Sequence, residues 1–400
     1  MIRLRCLWNS ALPRHRFHSS TLIGSGLSAR SLLRMKSWLP ILWVTCLTFI
    51  TSLSPSFAGS TVLYVSEAGD KRIAVYSLDQ ATGELTRKGD TTLPGSPGSL
   101  AISADRRHLY AAVRSERQLA TLPVDPTTGQ LGEPVITPPG INPVYVHIDK
   151  TGSWVLTASY GEGAAAISRI QDGIIVGAPV VTLETGKKAH SIQTDPSNRF
   201  AFVPHAGELN KVEQLRFDPV TGKFESNTPP YLPGGPGHGP RHMQFHPNGR
   251  WVYLVNEQGK SVTHCDFDPD KGTLTQRQTV PTVPPDWDQT QGSCADIHVS
   301  ADGRFVYAST RGHDSLATYS VHQETGELSS LGQTPTEKTP RSFCLVPGPA
   351  GSGESYVVSA GEGSDALIVF KRDIATGKLT PLKTYPCGKG PAWVMAVVFE

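Results

Sequence analysis

"GHGPRHMQFHPNGRWVYLVNEQGK", residues 237–260, places two short apolar runs on either side of an Asn-Gly turn. Short aromatic and β-branched runs broken by such a turn read as strand, turn, strand. The second run has counterparts along the whole chain: "TVLYVSEA", "HLYAAVRS", "WVLTASYG", "FAFVPHAG", "WVYLVNEQ", "FVYASTRG" and "SYVVSAGE". With anchors at Tyr64, Tyr110, Leu156, Phe202, Tyr253, Tyr307 and Val357, the spacings are 46, 46, 46, 51, 54 and 50 residues. Each run leads to another strand and then to a turn, in order "ATGEL", "TTGQL", "QDGII", "VTGKF", "DKGTL", "ETGEL" and "ATGKL".

One unit is therefore strand a, turn, strand b, loop, strand c, turn, strand d. Four antiparallel strands in roughly 50 residues make a propeller blade. The expected fold is all-β, a seven-bladed β-propeller occupying residues 59–400 as a single domain. The 39 glycines and 32 prolines fit a chain with so many turns. The body starts on a b strand, "TVLYVS", and finishes on an a strand, "GPAWVMAVVF". Seven complete blades exist only if the C-terminal strand joins the N-terminal blade, which closes the ring and hides two sheet edges.

Residues 1–58 carry seven Arg or Lys and no acid, whereas the rest holds 30 basic and 35 acidic residues. The body is mildly acidic, with no basic face to suit nucleic acid. "MKSWLPILWVTCLTFITSLSPSFA", from Met35 to Ala58, has a basic start, a short apolar stretch and a small-residue site before Gly59. That pattern is an export signal, with Met35 as the expected start and cleavage after Ala58. Its apolar stretch is short of the ~20 residues that span a bilayer. The mature protein is expected in the periplasm or secreted, with no stable membrane span. The Arg- and Ser-rich residues 1–34 leave organelle import as an alternative. Beyond Cys6 and Cys46 in the leader, the body keeps Cys265, Cys294, Cys344 and Cys387, with no close pair to form a zinc ribbon. Disulfides and buried thiols both remain open, as does the oligomeric state.

In a propeller the a strands line the central channel, and the start of each a strand meets the end of each b strand on one face. The position four after each anchor reads Ala68, Arg114, Tyr160, Ala206, Glu257, Arg311 and Gly361. The early a-strand column includes His190, Arg241, Ala295 and Arg341, with His242 and Asp296 one residue on. Alternation sends neighbouring strand residues to opposite sides, so not all of these face the channel. A ring of arginines suits an anionic ligand, because guanidinium matches carboxylate or phosphate with a planar fork of donors. A carboxylate among them stays ionised, and a histidine can exchange a proton. His246, in the a–b turn, belongs to the far face. His205, His238, His313 and His322 read as loop or surface residues. "DWDQTQGSCADIH", residues 286–298, reads as a blade insertion forming one wall of the pocket. No GxSxG elbow, phosphate-binding loop or HExxH motif is present, and no histidine spacing argues for a metal.

The blocks "GHGPRHMQFHPNGRWVYLVNE", "CADIHVSADGRFVYASTRG", "TPRSF", "KAHSI" and "GKGPAWV" together resemble the seven-bladed lactonase family. That family includes propeller-type bacterial 6-phosphogluconolactonases and fungal 3-carboxy-cis,cis-muconate lactonising enzymes. The resemblance implies a catalytic set at His190, Arg241, Glu257 and Arg311. Arg114, Tyr160, His242, Asp296, His298 and Arg341 are the candidate substrate-binding residues. It implies a lactone hydrolase without cofactor or metal, acting on a small anionic lactone, with Glu257 or His190 activating water. A carboxymuconate-type cycloisomerase and a non-catalytic binding propeller are the alternatives.

Overall fold

The structure, a computed structural model, describes residues 60–348 and 352–399. The expected leader, residues 1–58, lies outside the described residues, together with Cys6 and Cys46. Seven separate sheets each hold four antiparallel strands. The inner strands are Pro391–Phe399 in blade 1, Pro97–Ile102 in blade 2, Tyr145–Ile148 in blade 3 and Gln193–Thr194 in blade 4. Those of blades 5, 6 and 7 are Pro240–Phe245, Ser293–Val299 and Pro340–Val346. The seven-bladed, four-stranded organisation read from the repeats is the observed one.

Ring closure follows the expected route. Strand Ser60–Glu67 pairs antiparallel with Pro391–Phe399, with Thr61 opposite Val398 and Val65 opposite Val394. A buried carboxylate reinforces the seam. Glu67, fully buried, accepts from the Gly388 backbone N–H at 2.8 Å and pairs with Arg72 at 2.5 Å and Arg87 at 2.9 Å. Hydrogen bonds to an ionised group contribute more than neutral ones, about 1.5–3 kcal/mol each.

The hydrophobic core lies between blades rather than inside one. Tyr64 and Val75 of blade 1 pack with Leu109, Ala111 and Leu122 of blade 2. Trp251 and Tyr253 of blade 5 pack with Val306 and Tyr319 of blade 6. Within this core each blade grips the next through one repeated joint. Tyr64 donates its hydroxyl to the carbonyl of turn residue Gly129, Tyr110 to Gly173, Tyr253 to Gly326 and Tyr307 to Gly377, each at 2.8 Å. Trp154 Nε1 donates to Pro219 O at 2.8 Å, and Tyr356 to Gln80 O at 3.2 Å across the closing seam. Between blades 4 and 5 the aromatic is Phe200, which has no donor. There Asn227 Nδ2 supplies the bond to Gly272 O at 2.9 Å. Three joints thus use a residue one or two positions before the counted anchor: Trp154, Phe200 and Tyr356.

The turn glycine is dictated by this joint. Gly326 has φ +78°, and a Cβ built there would lie 2.5 Å from Trp251 and 2.6 Å from His264. Both the backbone conformation and the aromatic neighbour exclude a side chain. We expect Gly326→Ala to cost roughly 1–3 kcal/mol, read as a lower midpoint in denaturant unfolding. An unchanged midpoint would show that the joint carries no stability.

Among the described residues no cysteine is paired: Cys265, Cys294 and Cys344 are buried and Cys387 is half-buried. Burial pushes the thiols of Cys344 and Cys387 up to about 12, which keeps them protonated and inert.

Candidate active site

Five of the ten expected site residues line one cavity at the mouth face. Arg114, His190, Arg241, His242 and Arg341 surround a small cleft, with Gly98, Ser99, Val144, Ala392 and Trp393 completing the wall. Strict alternation would have separated Arg241 from His242. Strand Pro240–Phe245 has a bulge between Pro240 and His242, and that irregularity turns two consecutive side chains toward the same cavity.

Arg241 is 2% exposed. Its Nη1 donates to Ala295 O and lies 3.1 Å from His242 Nε2, while the buried Nε has no partner among the described residues. A buried guanidinium with an unused donor is costly unless a ligand takes it up. Burial, followed by the positive charges of Arg311 and Arg341, lowers its pKa to about 9; Glu257 and Asp296 pull the other way. It therefore stays a cation at neutral pH.

Beside it, Glu257 Oε1 accepts from Arg311 Nη2 at 2.8 Å, and the same nitrogen donates to Cys294 O at 2.9 Å. Glu257 Oε2 and Arg311 Nε are buried without partners. This ion pair bridges blades 5 and 6 and acts on Arg241 by charge, but it does not line the mouth cavity.

His190 sits opposite, held by its backbone N–H bonded to Pro204 O at 2.9 Å. Its ring meets Tyr160 edge-on at 5.5 Å and His242 at 5.2 Å. Burial first, then the charges of Arg241, His242 and Arg341, hold its pKa well below the usual imidazole range. It is a neutral imidazole at pH 7, able to accept a proton. Arg341 Nη1 donates to Glu362 Oε2 at 3.3 Å, while no ion pair engages Arg114, which is exposed at the rim.

Asp296 and His298 are placed elsewhere. Strand Ser293–Val299 is bulged between Cys294 and Ile297, and both residues line the larger channel behind the mouth cavity. His242 and Trp393 line both spaces and form the septum between them. Trp393 stands within the "GPAWV" block yet carries no charge to mark it as a site residue. The insertion differs from expectation too. Trp287 packs edge-on against His313 at 5.3 Å, where its ring gains apolar cover, and residues 286–292 form no part of the cavity wall. His205 is fully buried rather than at the surface, its Nδ1 3.1 Å from Lys187 O. His246 makes the far-face contact expected of it, with Nε2 donating to Gly303 O at 2.8 Å.

A seven-bladed propeller with a cationic, partly desolvated mouth and a neutral histidine defines a class of site for small anionic ligands. The comparisons give that class its family. Residues 60–396 match the family model "Lactonase, 7-bladed beta-propeller", and the chain belongs to that family. It is 33% identical to a 6-phosphogluconolactonase of Pectobacterium carotovorum, over 85% of this chain and 99% of that protein. It is 34% identical to a 6-phosphogluconolactonase of Serratia proteamaculans, over 83% and 98%. Among solved structures, the periplasmic gluconolactonase PpgL of Pseudomonas aeruginosa superposes with a TM-score of 0.74 at 25% identity, covering 85% of this chain and 99% of that one.

Histidines with depressed pKa values set the acid stability, half-buried His147 and buried His190, His205, His242 and His264 among them. Burial is the largest cause of depression in each: His147, His205 and His242 fall to about 4, and His190 and His264 are also lowered. Their unfolded counterparts titrate near 6.5. The unfolded chain thus binds protons first as pH falls, and folding stability drops through the window from about 6.5 to 4. We expect the thermal midpoint to fall steadily across that window. A flat midpoint down to pH 4.5 would contradict the buried, neutral histidines.

Proposed function

We propose that this chain hydrolyses an anionic sugar-type lactone at the mouth cavity, in keeping with its lactonase family. The observation that carries the reading is the buried Arg241 guanidinium, whose free Nε–H faces the demand for an acceptor in a cavity shared with His190, Arg114 and Arg341. His190 accepts a proton from water as its oxygen bonds to the lactone carbonyl carbon. The carbonyl oxygen takes the negative charge, which Arg241 stabilises. The ring C–O bond then breaks, and the departing ring oxygen takes the proton from His190 to become a hydroxyl. The new carboxylic acid releases its proton to solvent, one per turnover. Arg114 and Arg341 hold the anionic substituent. The Glu257–Arg311 pair buttresses Arg241, and the Glu257 carboxylate favours its charged form.

Charge also tunes the base. His190 is depressed partly by Arg241 and Arg341, and an anion bound between the arginines cancels part of that repulsion. Substrate binding therefore strengthens the base that must act on it. The acid limb of kcat/KM, which reports the free enzyme, should lie below pH 6.5, and that of kcat should lie at higher pH. Coincident limbs would remove the proposed coupling.

The relatives' names supply two substrates to test, gluconolactone and its 6-phosphate. Proton release should exceed the spontaneous rate, with preference between the two reporting what Arg114 and Arg341 recognise. A cycloisomerase opening the ring by elimination would also release one proton but would leave a carbon–carbon double bond in place of the new hydroxyl, which ultraviolet absorbance of the product distinguishes. Arg241→Ala should lower kcat about 10²–10³-fold, the effect of removing one oxyanion donor, and Glu257→Gln should lower it in the same direction, with both variants folded. Full turnover in Arg241→Ala would sink the assignment.

We also infer export, supported by the leader composition of residues 35–58 and the periplasmic relative PpgL. No helix among the described residues is long and apolar enough to cross a membrane. The mass of the purified protein should place its N-terminus at Gly59.

A further inference from the structure

In three blades a serine follows the residue that stands at the mouth end of the inner strand: Ser99 after Gly98, Ser191 after His190 and Ser342 after Arg341. Two of these serines do the same work. Ser99 Oγ accepts from the Val146 backbone N–H of the next blade at 3.3 Å, and Ser342 Oγ from that of Val394 at 3.4 Å. Ser191, fully buried, does the reverse: its hydroxyl donates to the Arg241 backbone carbonyl at 2.9 Å.

The bulge in blade 5 explains the exchange. Pro240 pairs with Asn256 and His242 with Val255, so Arg241 stands outside the ladder. A buried carbonyl in that position needs a donor from elsewhere. Two other bulged strands meet the same need from the preceding blade. Gly98, skipped between Pro97 and Leu100, has its carbonyl bonded by Ser66 Oγ at 2.7 Å. Ala295, skipped between Cys294 and Ile297, has its carbonyl bonded by Arg241 Nη1.

Arg241 is thus held at both ends. Ser191 of blade 4 grips its main chain and Ala295 of blade 6 takes Nη1, while the buried Nε keeps no partner among the described residues. His190 is the covalent neighbour of Ser191, and its own backbone N–H is tied to Pro204 O at 2.9 Å. One buried hydroxyl therefore sets the step between the strand that carries the neutral histidine and the strand that carries the guanidinium.

Given the roles of His190 and Arg241 set out above, on which this rests, we propose that Ser191 is a positioning residue. Its bond to the Arg241 carbonyl fixes Arg241 against His190 for attack on the lactone, and Ser191 itself touches no substrate.

Ser66→Ala is the matched control, because it deletes the same hydroxyl-to-carbonyl bond where the mouth residue is a glycine. In ¹H–¹⁵N spectra, the arginine Nε–H signal missing in Arg241→Ala identifies residue 241. The native protein should show that proton protected, and Ser191→Ala should exchange it with water at least about tenfold faster, with Ser66→Ala matching the native rate. Equal exchange in the two serine variants overturns the proposal, as does a native Nε–H that is already unprotected. With the preferred lactone, Ser191→Ala should lower kcat at least about tenfold with KM within about threefold, the pattern of a displaced reacting group rather than of weaker binding. Ser66→Ala should stay within about twofold of the native kcat, since the bond it loses carries no guanidinium. Equal kcat in the two variants, both folded by circular dichroism, reduces Ser191 to packing and overturns the proposal. If Ser191→Ala does not fold, Ser191→Cys, whose thiol is a weak donor, takes its place in both arms. Absence of turnover in the native protein removes the lactonase reading alone, and the Arg241 exchange rates still decide whether Ser191 holds Arg241.

Discussion

Every blade of this protein depends on an aromatic side chain standing over a turn glycine of the next blade. The bond is small, about 1 kcal/mol for a neutral hydrogen bond, but it recurs at every interface and leaves no freedom of register. The ring needs the glycine because a Cβ would collide, as Gly326 shows against Trp251. At four joints the glycine carbonyl in turn finds its donor in the ring, and Trp154 and Tyr356 donate to Pro219 O and Gln80 O of the same turns. Where the aromatic lacks a donor, at Phe200, Asn227 provides one from the outer strand of the same blade. Blade-to-blade geometry is therefore set at the periphery. The inner strands are left free to carry irregularities, and residues of these strands line the mouth cavity.

Those irregularities build the site. Bulges interrupt the pairing near the mouth end of the inner strands in blades 2, 5, 6 and 7. In a regular strand Arg241 and His242 would face opposite ways. The bulge lets one line the cavity with its guanidinium while the other forms the septum beside it. The same device in blade 6 withdraws Asp296 to the rear, where its Oδ1 lies 2.9 Å from His242 Nδ1. A cationic cavity, a neutral histidine and a carboxylate kept at one remove are then consistent with one another. Arg241 and Arg341 suppress protonation of His190, Arg241 that of His242, and Glu257 and Asp296 favour the charged form of Arg241.

The fold was legible because its determinants are local and repeated. A turn glycine, an anchor residue and a spacing near 50 residues are visible without knowing any contact, and the count of strands demands closure. Of the site, His190, Arg241 and Arg341 could be placed at the mouth by aligning blades. What alignment could not show was the effect of bulges, which a proline marks in blades 2, 5 and 7 but no residue marks in blade 6. Hence Asp296 and His298 read as mouth residues and stand behind it, while Trp393, uncharged, went unassigned. Trp154, Phe200 and Tyr356 do the work expected of Leu156, Phe202 and Val357, because the reach of a ring matters more than its column. Trp287 read as a pocket wall because its segment is an insertion, yet its ring found His313 instead.

The closing strand has a consequence for how the molecule comes into being. Thr61 and Val398 are partners across nearly the whole length of the domain, so the seam is the longest-range contact the chain can make. Loop closure on this scale costs on the order of 5 kcal/mol beyond a constant, and contacts so distant in sequence form late. Six blades can assemble while blade 1 still lacks its inner strand. Until the last nine residues arrive, the polypeptide has an open edge at each end of an arc, and the cavity lacks Trp393. Closure of the ring and completion of the cavity wall thus fall to one strand.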